Sequence, residues 1–294
     1  MDAKAKCYCF TIQCELISEI TGVDCSYEIP DILWYRIVPL LPTIPHKKKK
    51  KVGRPRMNDT QAMSAIFYIL RTGCQWNALP RSLGASSTVH DRFQEWRKAG
   101  VFKRMWIDGL LEYDKKTGID WEWQAMDGVI TKAPLGGKST GPNPTDRAKS
   151  GTKRSLLVDG KGVPLGITAD AANRHDMKLI KPTLQNIVIN KPEPTIKLKQ
   201  NMCMDKGYDY PEVYELLEAY GYTIHIRSRG EENRINSKEI PRYRAKHWVV
   251  ERTHSWMNRF RRLLIRWEKK VENYLAMLHF ACAWITYRAA GLFG

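Results

Sequence analysis

The segment WQAMDGVITKAP (Trp123–Pro134) is where the chain changes period. Upstream of it, apolar residues recur at helical spacing. From about Trp121 onward, short β-branched and apolar runs alternate with Gly- and Pro-rich punctuation, the pattern of strands joined by turns. Asp127 lies inside this first strand, between "QAM" and "GVI". A carboxylate within an apolar strand is costly unless something pairs it, and a divalent cation is a good partner. Taken alone, the strand allows a polar position at a sheet edge equally well.

Toward the C-terminus a Gly/Pro-rich basic loop, "LGGKSTGPNPTDRAKSGTKR", follows the strand. Next, "SLLVDGKGVPLGITADAA" reads as a hairpin turning at Asp159–Gly162. "DMKLIKPTLQNIV" reads as a helix if Pro182 sits near its start. A short apolar strand, "MCM", then ends in Asp205; "YPEVYELLEAYG" is a helix, "YTIHIRS" a strand, and the tail from Arg242 is helical. Three strands in succession followed by alternation with helices predict an α/β fold with a mixed sheet.

Toward the N-terminus three helical stretches are expected. "NDTQAMSAIFYILRTG" offers Asn58 and Asp59 as caps and Gly73 as a stop, and "NALPRSLGA" is a short helix at best. "SSTVHDRFQEWRKAG" begins with Ser/Thr caps and puts Val89, Phe93 and Trp96 on one face. This is the outline of a helix-turn-helix and equally of any three-helix bundle. Before it, "HKKKKKVGRPR" (His46–Arg56) reads either as a solvated linker or as an arm along a phosphate backbone. The division expected is residues 1–28 as an unassigned extension, 29–115 as a helical DNA-binding domain with the arm at 46–56, and 120–294 as the sheet domain.

A net charge of +17 and a pI near 9.6 favour a polyanionic partner, nucleic acid before an anionic membrane surface. "YLAMLHFACAWITY" (Tyr274–Tyr287) is too short for a membrane span and reads as a buried helix. The first residues lack the apolar core of a signal peptide, so a cytoplasmic location is expected. Four of the seven cysteines (Cys7, Cys9, Cys14, Cys25) lie in the first 25 residues without paired C-x-x-C spacing, which disfavours zinc. Cys74, Cys203 and Cys282 read as small core residues.

Glu251 poses the sharper question. From Arg242 to Lys270 the sequence holds ten Lys or Arg and two Glu. On a helical wheel Val249, Thr253, Trp256, Phe260, Leu263 and Trp267 form the buried stripe, and Glu251 lies opposite with Arg244, Ser255, Asn258 and Arg262. It is either an exposed glutamate paired one turn away, with His247 or His254 as partners, or a metal ligand on a cationic face. Three carboxylates from separate elements can hold two divalent ions, roughly 3.5–4 Å apart, around a phosphodiester. Arg174, His175 and Asp176 follow the third strand; His175 and Asp176 are candidates for supporting the acids or touching DNA, with Asp176 as a helix cap the plainer reading. Lys206 and Tyr208 beside Asp205 are placed to position a strand being cut.

The segments "MDGVITKAPLGG…TGPNPTDRAKSGTKRSLLVDGKGVPLG", "ANRHD", "MCMDKGYD" and "VVERTHSWMNRFRRLLIRWEKK" resemble bacterial insertion-sequence transposases of the insertion-sequence-5 type. These belong to the DDE superfamily, with a ribonuclease-H-like catalytic core. "LWYRIVPLLP…GRPRMNDTQAMSAIFYILRTGCQWNALPRSLGASSTVHDRFQEWRKAGVF" is similar to the N-terminal domain of the same family, so the resemblance spans roughly residues 30–290. It implies a catalytic and metal-binding triad of Asp127, Asp205 and Glu251, separated by 78 and 46 residues. It further implies Mg²⁺ or Mn²⁺, two ions, and cleavage at insertion-sequence ends with joining of the 3′-OH to target DNA. Double-stranded DNA, both transposon ends and target, and at least a homodimer are the implied partners. Two other readings are a nuclease without strand transfer and an inactive DNA-binding relic. The related Tyr–Arg–Glu–Lys signature would place Tyr, Arg and Lys at 244, 247 and 258, where this chain has Arg244, His247 and Asn258.

The cations assigned to DNA are Lys47, Lys48, Lys49, Lys50, Lys51, Arg54 and Arg56 of the arm, and Arg244, Arg252, Arg259 and Arg262 of the tail. Replacing Lys47–Lys51 with Ala is expected to weaken binding to DNA of any sequence. It should also flatten the plot of log affinity against log salt, by roughly 0.9 for each phosphate no longer neutralised. Fluorescence anisotropy across a salt series checks this, and an unchanged slope places the arm away from DNA.

Overall fold

The computed structural model describes residues 27–43, 55–195, 198–226 and 247–293. The chain forms two compact units, dividing between Val101 and Phe102.

The first unit contains helices α1 (Asp31–Ile37), α2 (Asp59–Thr72) and α3 (Ser86–Lys98). Asn58 caps α2, its side-chain oxygen accepting from the Thr60 N–H at 2.8 Å, and Gly73 ends it in the left-handed region. The "NALPRSLGA" segment becomes two single 3-10 turns, Trp76–Ala78 and Arg81–Leu83. The Ser/Thr capping expected for α3 does not occur: Ala85 holds the cap position and makes no side-chain bond, while Ser86, Ser87 and Thr88 lie within the first turn. Met63, Ile66, Phe67 and Leu70 of α2 and Val89, Phe93 and Trp96 of α3 are buried, as their spacing predicts.

The second unit opens with α4 (Val101–Thr117). The sequence reading placed most of this helix with the N-terminal domain, up to residue 115. Its aromatic residues pack elsewhere: Phe102 lies 5.2 Å from Phe280 between ring centroids, and the Trp106 indole donates to the Pro164 carbonyl at 3.0 Å.

A six-stranded mixed sheet follows: β1 (Trp123–Lys132), β2 (Gly141–Pro142), β3 (Ser150–Asp159), β4 (Pro164–Ala171), β5 (Gln200–Met204) and β6 (Tyr222–Ile226). The main path across it is β4–β3–β1–β5–β6, with β2 beside the start of β3. The β3 strand is antiparallel to both β1 and β4, whereas β5 and β6 run parallel to β1. Helices α5 (Met177–Gln185), α6 (Pro211–Ala219), α7 (Trp248–Asn258) and α8 (Val271–Ala289) pack against it. This is the ribonuclease-H-like mixed sheet flanked by helices that the resemblance implies. The Asp159–Gly162 turn is as expected: the buried Asp159 carboxylate accepts the N–H groups of Lys161 and Val163 and the Tyr113 hydroxyl.

Three local expectations change. Residues 150–154, read as the end of a loop, begin β3, and their Lys and Arg side chains point into buried space. Pro182 lies inside α5 rather than at its start. The lost N–H bond in this nine-residue helix is tolerated while Leu179, Ile180, Thr183 and Leu184 are buried.

The tail is not one helix, either. After Asn258 the backbone turns extended at Phe260, forms a 3-10 turn at Arg261–Leu263, and runs beside the end of β1 through a Lys132–Ile265 bridge before α8 begins. Two buried arginines hold that crossing. Arg266 donates to the carbonyls of Ser139 and Glu268 and to the Thr152 hydroxyl, tying the 133–149 loop to the sheet. Arg262 donates through Nε to Glu268 at 2.7 Å, with both side chains about 5% exposed. The wheel that faced Arg262 outward assumed a helix that has already ended.

Among the described residues no helix is long and apolar enough to cross a membrane. Truncating Arg262 to Ala should leave Glu268 buried and uncompensated, lowering unfolding stability by roughly 3–5 kcal/mol in urea titration. The loss should appear without DNA, as expected for a side chain that holds the fold.

Candidate active site

The acids are brought together by strand register. In the parallel β1–β5 pair, Ala125 stands opposite Cys203, an offset of 203 − 125 = 78 residues. Asp127 and Asp205 have the same offset, 205 − 127 = 78, so this register, continued just past the end of β5, matches the two acids, and the charge of Asp205 is felt at Asp127. Met202, Cys203 and Met204 are buried, which leaves Asp205 exposed where the strand stops. Its carboxylate caps the following 3-10 turn (Lys206–Tyr208) by accepting the Gly207 N–H at 2.9 Å.

Asp127 is half-buried. Its Oδ1 accepts the Gly128 N–H at 2.7 Å, and its Oδ2 lies 3.9 Å from His254 Nε2. Burial pushes its carboxyl up to about 6, against the restraining influence of His247 and the Gly128 N–H and with the charges of Asp205 and Asp176 adding to the rise. A carboxylate that ordinarily loses its proton near 3.8 thus keeps it up to about 6, chiefly because it is buried.

Glu251 sits in the first turn of α7, which packs on β1 and β3. Its side chain is 53% exposed, and one oxygen lies 3.5 Å from His247 Nδ1, one turn back. His247 therefore bears on both acids: it restrains the rise at Asp127, and its Nδ1 is the atom facing Glu251. His254, the other partner considered for Glu251, instead faces Asp127. Burial, reinforced by the Arg154 charge, lowers the His254 imidazole to about 3, so it is neutral. Among the described residues no group of three or more His, Cys, Asp or Glu side chains is spaced to hold a metal ion. Two acids are matched by register, and the third is turned toward a histidine.

Behind them lies a polar layer only partly visible in sequence. Asp176 holds the N-cap position of α5 but makes no side-chain capping bond; its Oδ2 takes the Lys153 ammonium at 2.9 Å. Tyr208 is buried, its hydroxyl raised well above its ordinary range by burial and by the charges of Asp176, Asp127 and Asp205. His175 is exposed against Tyr210, and Lys206 is exposed beside Asp205. Lys153 and Arg154 were missed because their polarity made the start of β3 look like loop. Arg154 is fully buried, and its Nη2 donates to Asn258 Oδ1 at 2.8 Å. A guanidinium from β3 therefore reaches the position at which the resemblance implied a lysine.

The assigned DNA contacts divide. Arg56 forks onto Glu95 at 2.9 and 3.0 Å, in an exposed pair. Arg252 lies between two rings, 4.5 Å from Trp248 and 4.7 Å from Trp256, and donates to the Lys161 carbonyl. Arg259 is exposed, and Arg262 is the buried partner of Glu268. Lys47–Lys51, Arg54, Arg244 and the four N-terminal cysteines lie outside the described residues.

Comparison with known proteins supplies the context. Residues 29–106 match the family described as "Putative transposase of IS4/5 family", and residues 124–286 match the family described as "Transposase DDE domain". The chain is 33% identical over 167 residues to a Burkholderia cepacia protein named "Putative transposase for insertion sequence element IS402", covering 55% of this chain and 76% of the relative. It is 32% identical over 118 residues to the 16.2 kDa protein of the same element and organism, covering 40% and 80% of the two chains. The crystal structure of the Mos1 strand transfer complex aligns with 83% of this chain and 77% of its own at 14% identity and a TM-score of 0.32, a likeness too distant to bear on the site.

The raised Asp127 carboxyl has a measurable consequence. Because its folded value lies above 3.8, the folded state holds the proton more tightly, and stability is lost as pH rises from about 4 to about 6. Asp127→Asn should therefore stabilise the metal-free protein at pH 7.5 by on the order of 2 kcal/mol and have little effect at pH 4. Urea unfolding at the two pH values checks it; equal effects at both would sink the assignment of strain to this carboxylate.

Proposed function

Because the chain belongs to the DDE transposase family, whose members cleave and transfer DNA, we propose that it cuts DNA at insertion-sequence ends and joins the freed 3′-hydroxyl to target DNA, using Asp127, Asp205 and Glu251. The observation that carries this reading is the pairing offset that matches Asp127 on β1 with Asp205 just past the end of the adjacent parallel strand β5, with the Asp127 carboxyl raised by burial.

That arrangement suits a divalent cation. Carboxylate oxygens are hard donors of the kind Mg²⁺ and Mn²⁺ prefer, and a cation would relieve the charge crowding that burial imposes on Asp127. Asp127 and Asp205 would hold such ions, two of them in this reading, with Glu251 as the third ligand from α7. When bound, they supply Lewis acidity at the phosphodiester and lower the pKa of the attacking water or 3′-hydroxyl.

The remaining residues serve the acids and the DNA. The Gly128 N–H orients the Asp127 carboxylate, and Gly207 does the same for Asp205. His254, neutral and buried, adds no competing positive charge at Asp127. His247 keeps the Glu251 carboxylate near the start of α7. Exposed Arg259, at the end of α7, and Lys206, next to Asp205, are assigned to phosphate, together with the arm Lys47–Lys51. Both strands of the element ends and the target are the substrate, and two ends processed together call for a homodimer or larger assembly.

Duplex DNA carrying the element ends, incubated with Mg²⁺ or Mn²⁺, tests the assignment. Asp205→Ala and Glu251→Ala should each reduce nicking by roughly 10³-fold or more while leaving DNA binding within a few-fold of the parent. Pre-cut ends supplied with a target plasmid should give joined product. Intact cleavage by either variant would remove that acid from the mechanism, and cleavage without joining would make the protein a nuclease.

A further inference from the structure

Lys153 lies on β3 opposite Ile130, in the antiparallel register that also sets Leu156 against Asp127. It is 6% exposed. Its ammonium donates to Asp176 Oδ2 and to the Arg174 carbonyl, both at 2.9 Å, so it is fixed from two directions. With the Lys153 side chain 8% exposed and that of Asp176 33%, burying the ammonium has a desolvation cost that the attraction only roughly offsets, and the pair asks for a reason beyond stability.

The other half of the pair supplies one. Asp176 Oδ1 is buried and has no hydrogen-bond partner among the described residues, and the hydroxyl of Tyr208, a residue 2% exposed, is in the same position. Each orphaned group costs on the order of 1–3 kcal/mol. Both are aimed at one small space. A Cβ built on Gly128 would lie 2.3 Å from Asp176 Oδ1 and 3.5 Å from the Tyr208 hydroxyl. Gly128 directly follows Asp127 and orients its carboxylate; Tyr208 rides on the turn that Asp205 caps. The free carboxylate oxygen thus lies against the β1 backbone at Gly128, on the face opposite the Asp127 side chain, held there by the lysine.

We infer that Asp176 and Lys153 are positioning residues for the Asp127–Asp205 pair: Asp176 holds a fixed negative charge behind the acids, across the β1 backbone, and Lys153 sets how much of it reaches a cation bound there. This rests on the reading of Asp127 and Asp205 as metal-binding acids. A pair that merely knits β3 to the turn before α5 would have no sign; a charge-setting pair does. Removing Asp176's charge should weaken cation binding, and removing Lys153's should strengthen it.

Mn²⁺ titration of the DNA-free full-length protein by calorimetry, with circular dichroism to confirm folding, measures this directly. Asp176→Asn should raise the Mn²⁺ Kd by roughly 3- to 30-fold, and Lys153→Met should lower it by a comparable factor. Since Lys153→Met removes the partner of Asp176 and destabilises the fold, Asp176→Asn is also compared with the double variant Lys153→Met/Asp176→Asn. The double variant should bind Mn²⁺ more tightly than Asp176→Asn alone. In strand cleavage, Asp176→Asn should lower kcat with KM for end DNA unchanged. Shifts of the same sign in the two single variants, or a double variant no tighter than Asp176→Asn, would overturn the inference. Asp127→Ala in parallel separates the two ideas: Mn²⁺ binding unchanged there would instead bring down the acid assignment on which this one rests.

Discussion

The parallel pairing of β1 with β5 sets most of what this molecule can do. An offset of 78 residues matches Asp127 with Asp205, and the same pairing buries Gln124, Ala125 and Met126 on one strand and Met202, Cys203 and Met204 on the other. A slip of one residue would turn one acid to the opposite face and bring apolar side chains out with it. The apolar residues that fix the register therefore also fix the acids. What they cannot do is make the juxtaposition comfortable. Burial of Asp127, with the charges of Asp205 and Asp176 adding to it, raises its carboxyl to about 6.

Positive charge is close by but committed. Lys153 is tied to Asp176, Arg154 to Asn258, and Arg262 to Glu268, each of them buried. These cations come from β3 and from the crossing between α7 and α8, and they secure the polar layer on which α7 rests. In a chain of net charge +17 the distinction matters. Inside the fold Lys153 and Arg262 hold acids in place and Arg154 holds the Asn258 amide, whereas Arg259 and Lys206 are exposed. Arg252 belongs to neither group: stacked between Trp248 and Trp256 and bonded to a carbonyl, it braces the exposed side of the helix that carries Glu251.

Sequence by itself determined the division into a helical segment and a mixed α/β sheet, the helix ends at Asn58 and Gly73, the turn at Asp159–Gly162, and the identity of the acids worth considering. These are legible because capping chemistry, turn chemistry and apolar period are local, and because the resemblance of the motifs named three acids in order. Tertiary structure decided the rest. The start of β3 was hidden since Lys153 and Arg154 are polar residues whose partners lie far along the chain, 23 and 104 residues away. The helical wheel failed past Asn258 because it assumes continuity, which the extended backbone at Phe260 breaks, turning Arg262 from surface to interior. Whether Asp127 met Asp205, and whether His254 faced Glu251 or Asp127, depended on register and on how α7 packs. Those are long-range facts, fixed by burial across the sheet, and no local pattern carries them.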